Sequence, residues 1–143
     1  MAGYANILSE SQRFIIVDDD SVNNLVSTFI IQRHQKDAEI HVFVDPELAL
    51  NSIQEIIDTN HNVKTIILLD INMPIMNGWE FLEELAKLKE SAMSGFRIFM
   101  LSSSMDLIDK AKVESHTLVS GFFSKPLSLN HLSTACGNAT FTD

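Results

Sequence analysis

Chemically useful side chains follow four apolar runs of the sequence. Asp18 to Asp20 come after RFIIV, and Asp70 and Asn72 come after TIILL. Ser102 to Ser104 come after RIFML, and Lys125 comes after GFFS. Carboxylates that meet in one place repel each other and raise one another's pKa unless a cation lies among them. Mg²⁺ would remove that repulsion, because it prefers carboxylate, water and phosphate oxygens as ligands.

Asp70 is the natural nucleophile of such a site. A carboxylate that attacks phosphorus forms an acyl phosphate, which is a recognised covalent intermediate for aspartate. A hydroxyl such as that of Ser102 and the ammonium of Lys125 are groups that would suit the oxygens of a transferred phosphoryl group. The residue types therefore predict phosphoryl transfer to Asp70 with the help of Mg²⁺.

Five apolar segments and the helical stretches between them must position these side chains. The segments predicted to be strands are residues 13–17, 39–44, 65–69, 97–101 and 121–124. The first, third and fourth are almost continuously apolar, as expected of strands that are covered on both faces in a parallel sheet. In an open sheet of this kind the ligand crevice lies at the carboxyl ends of the strands, where the polar side chains fall.

A helix is predicted after each strand. The first carries an apolar stripe at helical spacing, made of Val22, Leu25, Val26, Phe29 and Ile30. We expect this stripe to face the sheet, with Asn23, Asn24 and Ser27 facing away. The second helix begins with Asp45 as its N-cap and Pro46 as its first helical residue. The remaining helices are predicted at residues 79–90, 105–115 and 128–136.

The alternation of strands and helices indicates the fold class. It implies right-handed crossovers, which bring successive strands into one parallel sheet. The sequence therefore predicts an α/β fold, a doubly wound five-stranded parallel sheet with helices on both faces.

Length and charge narrow the class of protein. With 143 residues, 45% of them hydrophobic, the chain is long enough for one core and too short for two ordinary domains. The net charge of −9 argues against nucleic-acid binding, since neutralising phosphates takes Lys and Arg, of which the chain has 10. The sequence has no apolar run of about 18 residues, which a membrane span would need, and no signal sequence for secretion. We therefore expect a cytoplasmic protein.

The four segments that carry the polar side chains also resemble a known family. FIIVDDD, IILLDINMPIMNGWEF, FMLSSS and GFFSKPL are similar, in this order, to the signature segments of receiver domains of two-component response regulators. The resemblance covers residues 12–136 and leaves residues 1–11 and 137–143 as short tails, so no output domain is expected. It implies a CheY-like, flavodoxin-like (βα)5 fold with strand order 2-1-3-4-5.

The resemblance implies a role for each acidic residue. Asp70 would be the phosphoacceptor, which takes a phosphoryl group from a histidine kinase or a histidine phosphotransfer protein. Mg²⁺ would be the cofactor, with Asp19 as a direct ligand and Asp18 acting through a bound water. Asp70 would supply a carboxylate oxygen to the metal, and Asn72 would supply its backbone carbonyl.

The resemblance also implies a conformational switch. Lys125 would pair with the phosphoryl oxygens, and the peptide bond between Lys125 and Pro126 would be cis. Ser102 stands where the family has a hydroxyl that moves toward the phosphoryl group, and Phe122 stands at the position of the switch aromatic. Gly78 is expected in a tight turn that needs a residue without a Cβ atom.

Another protein would recognise the changed conformation. Phosphorylation adds roughly −1.5 to −2 charge, by analogy with phosphohydroxyl side chains, and would favour a conformation with a changed surface. That surface is the face of helix four, strand five and helix five, around residues 107–116 and 122–132. We expect a monomer that binds a downstream effector there and catalyses only its own phosphorylation and dephosphorylation.

Each motif alone has a simpler explanation. Asp18 to Asp20 could be a loop with a helix cap, the serines a strand-end turn, and Lys125 an exposed lysine. Their joint occurrence in family order argues against that explanation. Two other functions stay open: a pseudo-receiver scaffold that works without phosphorylation, and a phosphotransferase of the haloacid dehalogenase type, which has a second Asp where this chain has Asn72. A flavodoxin-like nucleotide binder is disfavoured, since no Gly-rich loop follows the first strand.

Overall fold

A computed structural model of the protein describes residues 12–59, 63–88, 90–104 and 106–137. The strands are β1 (Arg13–Val17), β2 (Glu39–Phe43), β3 (Thr65–Asp70), β4 (Phe96–Ser102) and β5 (Val119–Ser124). The α-helices are α1 (Ser21–His34), α2 (Pro46–Asp58), α3 (Gly78–Leu85), α4 (Leu107–Ser115) and α5 (Leu129–Ala135), and a 3₁₀ helix covers Glu90–Gly95. The predicted N-terminal tail, and the predicted C-terminal tail beyond residue 137, lie outside the described residues.

The five strands form one parallel sheet in the order β2-β1-β3-β4-β5. The predicted fold class and strand order are therefore confirmed. The order reverses between β1 and β3, so these two neighbours lie at the topological switch point, where open α/β sheets form their ligand crevice. Val17 of β1 is level with Leu69 of β3, which places the residues that follow them, Asp18 and Asp70, side by side.

The sheet separates two apolar cores. Ile15 of β1 and Ile67 of β3 contribute to the core under α2 and α3, while their neighbours Phe14 and Ile66 contribute to the core under α1 and α5. Successive side chains of a strand point to opposite faces. An unbroken apolar run is therefore what a strand needs when helices cover both sides, and the residues of β1 and β3 are all buried.

Local signals in the sequence begin the second helix where predicted. Asp45 caps α2 by accepting a hydrogen bond from the Glu47 N–H at 2.9 Å, and Pro46 is the first helical residue, as predicted. Helix α3 ends at Leu85, earlier than the predicted 90, because the next turns tighten to three-residue spacing. The Leu88 N–H, for example, donates to the Leu85 carbonyl at 3.0 Å.

The predicted orientation of α1 is wrong. Its buried residues are Asn24, Ser27 and Ile31, whereas Leu25 and Phe29 are 72% and 59% exposed. The stripe was expected to face the sheet because apolar side chains usually do. The polar face turns inward instead, because the Asn24 side chain donates to the backbone carbonyl of Asp18 at 2.9 Å, beneath the carboxyl ends of the strands.

Among the described residues, no helix is long and apolar enough to cross a membrane.

Gly78 is required by a close approach of two backbones. A Cβ atom there would lie 2.7 Å from the carbonyl oxygen of Asp70 and 2.9 Å from Cε of Met100. The need for a residue without a Cβ atom comes from this close approach and not from the backbone dihedral angles, since none of the described glycines has a positive φ. The N–H of Gly78 donates to the Ile71 carbonyl at 2.8 Å, which holds the start of α3 against the end of β3.

Replacing Gly78 by Ala should therefore lower the free energy of unfolding by about 1 to 3 kcal/mol, since the added methyl group overpacks a backbone contact that has little room to yield. Urea denaturation followed by circular dichroism measures this change. Gly95→Ala is the matched control, because a Cβ atom at Gly95 meets nothing within 4 Å. Equal stabilities of the two variants would contradict the explanation.

Candidate functional site

The carboxyl ends of four strands bring the predicted site residues to one edge of the sheet. Asp18 directly follows β1, Asp70 is the last residue of β3, and Ser102 is the last residue of β4. Lys125 directly follows β5, and its N–H donates to the Ser102 carbonyl at 2.9 Å. The predicted convergence of these segments is therefore present in the structure.

Asp18 is a fully buried carboxylate that the surrounding chain holds in place. Its Oδ1 accepts from the Asp20 N–H at 2.9 Å, and its Oδ2 accepts from the side-chain amide of Asn23 at 2.9 Å. The Asn24 amide fixes the backbone carbonyl of the same residue. These donors replace the water that burial removes, which a buried charge requires.

Lys125 joins the two inner carboxylates. Its Nζ lies 2.8 Å from Oδ2 of Asp18 and 3.3 Å from Oδ1 of Asp70. Burial by itself acts to lower the pKa of Lys125, but the hydrogen bond and negative charge of Asp18, together with Asp70, outweigh it and leave the pKa raised. The ammonium is therefore charged throughout the physiological range and compensates part of the buried negative charge.

Asp70 is less well compensated than Asp18. Besides Lys125, its carboxylate accepts a hydrogen bond from the Asn72 N–H, at 3.2 Å. Burial, followed by the charge of Asp18, raises the pKa of Asp70 from the ordinary 3.8 to about 6, while Lys125 opposes the shift. The site thus holds more negative charge than one lysine neutralises, and it favours an additional cation.

Asp18, Asp19 and Asp70 can each present one carboxylate oxygen so that the three atoms lie within 4.8 Å of one another. Asp19 is exposed and, among the described residues, its side chain has no hydrogen bond or ion pair. Asn72 is exposed at the start of the loop after β3. Carboxylate oxygens at this separation suit a small, hard divalent cation.

The predicted switch residues lie next to this cluster. Ser102 is buried, and its hydroxyl donates to the carbonyl of Ser104 while accepting from the Ser104 N–H at 3.2 Å. Phe122 is half-buried and packs against the core under α2 and α3. The bond between Lys125 and Pro126 is cis, as predicted. The Ser102 hydroxyl is thus held by its own loop.

Sequence reasoning missed Asn23 and Asn24 as residues of the site. Both were expected to face away from the sheet, yet their side-chain amides hold the carboxylate and the carbonyl of Asp18. A signal was available in the sequence. Two adjacent amides within the first helical turn after a run of carboxylates are suited to donate to those carboxylates.

Replacing Asp70 by Asn should stabilise the metal-free protein. The folded-state pKa of Asp70 is raised, so this group favours folding below pH 4 and that contribution is lost as the pH rises through about 6. The neutral amide avoids the loss, so the variant should gain about 1 to 3 kcal/mol at pH 7.5. Urea denaturation in EDTA at pH 7.5 and pH 4.5 measures the gain.

The gain should shrink at pH 4.5, and Asp20→Asn is the control, since this exposed cap residue can be replaced by Asn with its hydrogen bonds kept. A destabilised Asp70→Asn variant at pH 7.5 would contradict the charge argument.

Solved structures with this arrangement of strands and helices are similar to the chain. A two-component response regulator from Cytophaga hutchinsonii has 30% identical residues and a TM-score of 0.83, over 93% of this chain and 98% of that chain. A response regulator receiver protein from Dyadobacter fermentans has 26% identity and a TM-score of 0.77, over 87% and 94% of the two chains. A two-component response regulator from Legionella pneumophila has 25% identity and a TM-score of 0.71, over 87% and 95%.

No curated protein has significant sequence similarity to the chain. The family model for the response regulator receiver domain matches residues 14–136. This range includes all five strands from Phe14 onward and the acidic cluster of Asp18, Asp19 and Asp70. The buried carboxylates at the switch point and the sequence of the chain lead to the same conclusion: this protein belongs to the receiver domain family of two-component response regulators.

Proposed function

We propose that the protein accepts a phosphoryl group on Asp70 with Mg²⁺ and signals through a conformational switch. The observation that carries the proposal is the position of Lys125 Nζ between the carboxylates of Asp18 and Asp70. An ammonium at this place leaves Asp70 beside a positive charge that a phosphoryl oxygen can share. Because one ammonium does not neutralise the three carboxylates of Asp18, Asp19 and Asp70, these residues can bind one further cation.

Mg²⁺ is the cation that fits the donor set. We propose Asp19 and an oxygen of Asp70 as direct ligands, Asp18 as a ligand through water, and Asn72 as the donor of a backbone carbonyl. The exposure of Asp19 and its free carboxylate support a direct role, while both oxygens of Asp18 already accept hydrogen bonds. When bound, the ion would neutralise the charge of the incoming phosphoryl group.

The transfer is a displacement at phosphorus. An oxygen of Asp70 forms a bond to phosphorus as the bond from phosphorus to the donor atom breaks, and the donor leaves with the bonding electron pair. The ammonium of Lys125 neutralises the phosphoryl oxygens as they approach. We propose that the donor is a phosphohistidine of a histidine kinase or histidine phosphotransfer protein.

The switch would exchange hydrogen bonds at Ser102. Its hydroxyl would leave the carbonyl of Ser104 and donate to a phosphoryl oxygen, while Phe122 turns inward from its half-buried position. The surface of α4, β5 and α5 would then change, and we propose it as the binding face for a downstream effector. The exposed Leu107 and Ile108 at the start of α4 support this choice, since apolar side chains favour a protein partner.

The proposed role is that of a signalling domain. The protein would catalyse only its own phosphorylation and dephosphorylation, act as a monomer and work in the cytoplasm, where histidine kinases deliver phosphoryl groups. We propose neither nucleic acid nor a membrane as a partner, given the net charge of −9 and the scarcity of Lys and Arg.

Incubation with acetyl phosphate and Mg²⁺ should add one phosphoryl group to the protein. Intact-protein mass spectrometry at short times measures the adduct, which should be absent from Asp70→Asn and from samples with EDTA. Asp70→Asn removes the nucleophile but keeps the shape of the side chain. If wild-type protein gives neither this adduct nor a beryllofluoride complex, the pseudo-receiver scaffold would replace the proposal.

Removing Asp19 should weaken Mg²⁺ binding. We expect Asp19→Asn to raise the Mg²⁺ dissociation constant by roughly tenfold to a hundredfold, because the loss of a group that merely orients a metal ligand already has an effect of this size. Calorimetric titration measures the constant. Asp20→Asn is the matched control, because it removes the same charge one residue away but keeps the helix cap. A similar loss in both variants would show general electrostatics rather than ligation.

A further inference from the structure

Helix α4 is the helix that the rest of the protein holds least tightly. None of its nine residues is buried, whereas each of the other four α-helices buries at least two. Leu107 and Ile108 are 84% and 69% exposed, and only Asp109 and Val113 are half-buried. An element with few buried side chains opens and moves at low free-energy cost. The few contacts that it does make therefore decide where it lies.

Trp79 of α3 supplies several of those contacts. Its indole Nε1–H donates to Oδ1 of Asp109 at 3.0 Å, and the ammonium of Lys112 lies 5.3 Å from the centroid of its ring. The ring of His116, the residue that caps the end of α4, lies 6.2 Å from the same side chain. Residues 109, 112 and 116 fall on one side of a helix. One half-buried tryptophan thus contacts α4 from its first turn to its last.

The other end of this contact is fixed to the acidic site. Trp79 directly follows Gly78, whose N–H bonds to the carbonyl of Ile71 and whose backbone lies against the carbonyl of Asp70. The backbone of Trp79 is therefore held relative to the end of β3. A short connection runs from Asp70 through Gly78 and Trp79 to the face of α4.

We propose that Trp79 is a positioning residue that sets the placement of α4 in the unphosphorylated protein, and that its hydrogen bond to Asp109 opposes the movement of α4 during the switch. The first half of the proposal, the placement of α4, is supported by the contacts of the free protein alone. The second half rests on the proposed function. Ser102 ends β4 and precedes Asp106, the N-cap of α4, by four residues, so a movement of its hydroxyl toward Asp70 would pull on a helix that Trp79 holds in place.

Hydrogen exchange of the free protein tests the first half. Trp79→Phe removes the indole donor, and Asp109→Ala removes the acceptor, so either variant should accelerate amide exchange in α4 by roughly twofold to tenfold, the effect of one net hydrogen bond. Asp109→Asn keeps a side-chain oxygen acceptor and should restore nearly wild-type exchange. Glu114→Gln is the control on the exposed side of the same helix.

Unchanged exchange in α4 would overturn the positioning role of Trp79. So would an equal acceleration in α3, α4 and α5, since that pattern reports a general loss of stability rather than a released helix. Two variants on different elements keep the result clear if one of them folds poorly.

Phosphorylation kinetics and fluorescence test the second half. Weakening the contact should speed formation of the Asp70 adduct with acetyl phosphate by roughly twofold to tenfold in Trp79→Phe and Asp109→Ala, but not in Asp109→Asn. The chain contains 1 tryptophan, so its emission reports on this contact directly. Binding of beryllofluoride and Mg²⁺ should shift that emission in wild-type protein.

The outcomes separate the two proposals. If the adduct forms at the wild-type rate in every variant and the emission does not respond, Trp79 does not oppose the switch, although Asp70 is the phosphoacceptor. If wild-type protein forms no adduct at all, the proposed function and the coupling both fail, and the exchange data still decide whether Trp79 places α4.

Discussion

The structure depends on how it accommodates a charged carboxylate inside the protein. Asp18 is fully buried next to a second buried carboxylate, Asp70, and such a pair is unstable unless donors and cations surround it. Lys125 supplies one positive charge, and amide and backbone donors surround Asp18. Burial and the negative charge of Asp18 raise the pKa of Asp70 to about 6, because Lys125 compensates only part of the negative charge. The same imbalance that costs stability is what a bound cation would relieve.

The need to hold Asp18 also explains the unusual orientation of α1. The helix turns Asn24 inward to reach the Asp18 carbonyl, and it buries Ser27 on the same side. Its apolar residues must then face outward, where Val22 is 70% exposed. An exposed apolar surface beside an acidic crevice differs from the usual surface of a monomeric protein and is suited to contact another protein.

The surroundings of the site combine rigid and loosely held parts. The end of β3 and the start of α3 are fixed to each other, because Gly78 allows two backbones to approach more closely than any side chain permits. Helix α4, by contrast, buries no residue and lies against Trp79. A rigid attachment for the proposed acceptor, Asp70, and a weakly held helix nearby are what a change at one carboxylate needs in order to move a surface.

The sequence by itself determined the fold class and the residues that meet at the edge of the sheet, while its resemblance to receiver domains implied the order of the strands. Unbroken apolar runs, helix caps such as Asp45 and polar residues at strand ends are local signals, and together they specify a parallel sheet with helices on both faces. The orientation of α1, the closeness of Asp70 to Gly78 and the contact between Trp79 and Asp109 were decided by the tertiary structure. Periodicity reports which side of a helix is apolar, but which side faces inward depends on hydrogen bonds to residues of other elements. For α1, the hydrogen bonds that Asn23 and Asn24 donate to the carboxylate and the carbonyl of Asp18 took precedence over the burial of an apolar stripe.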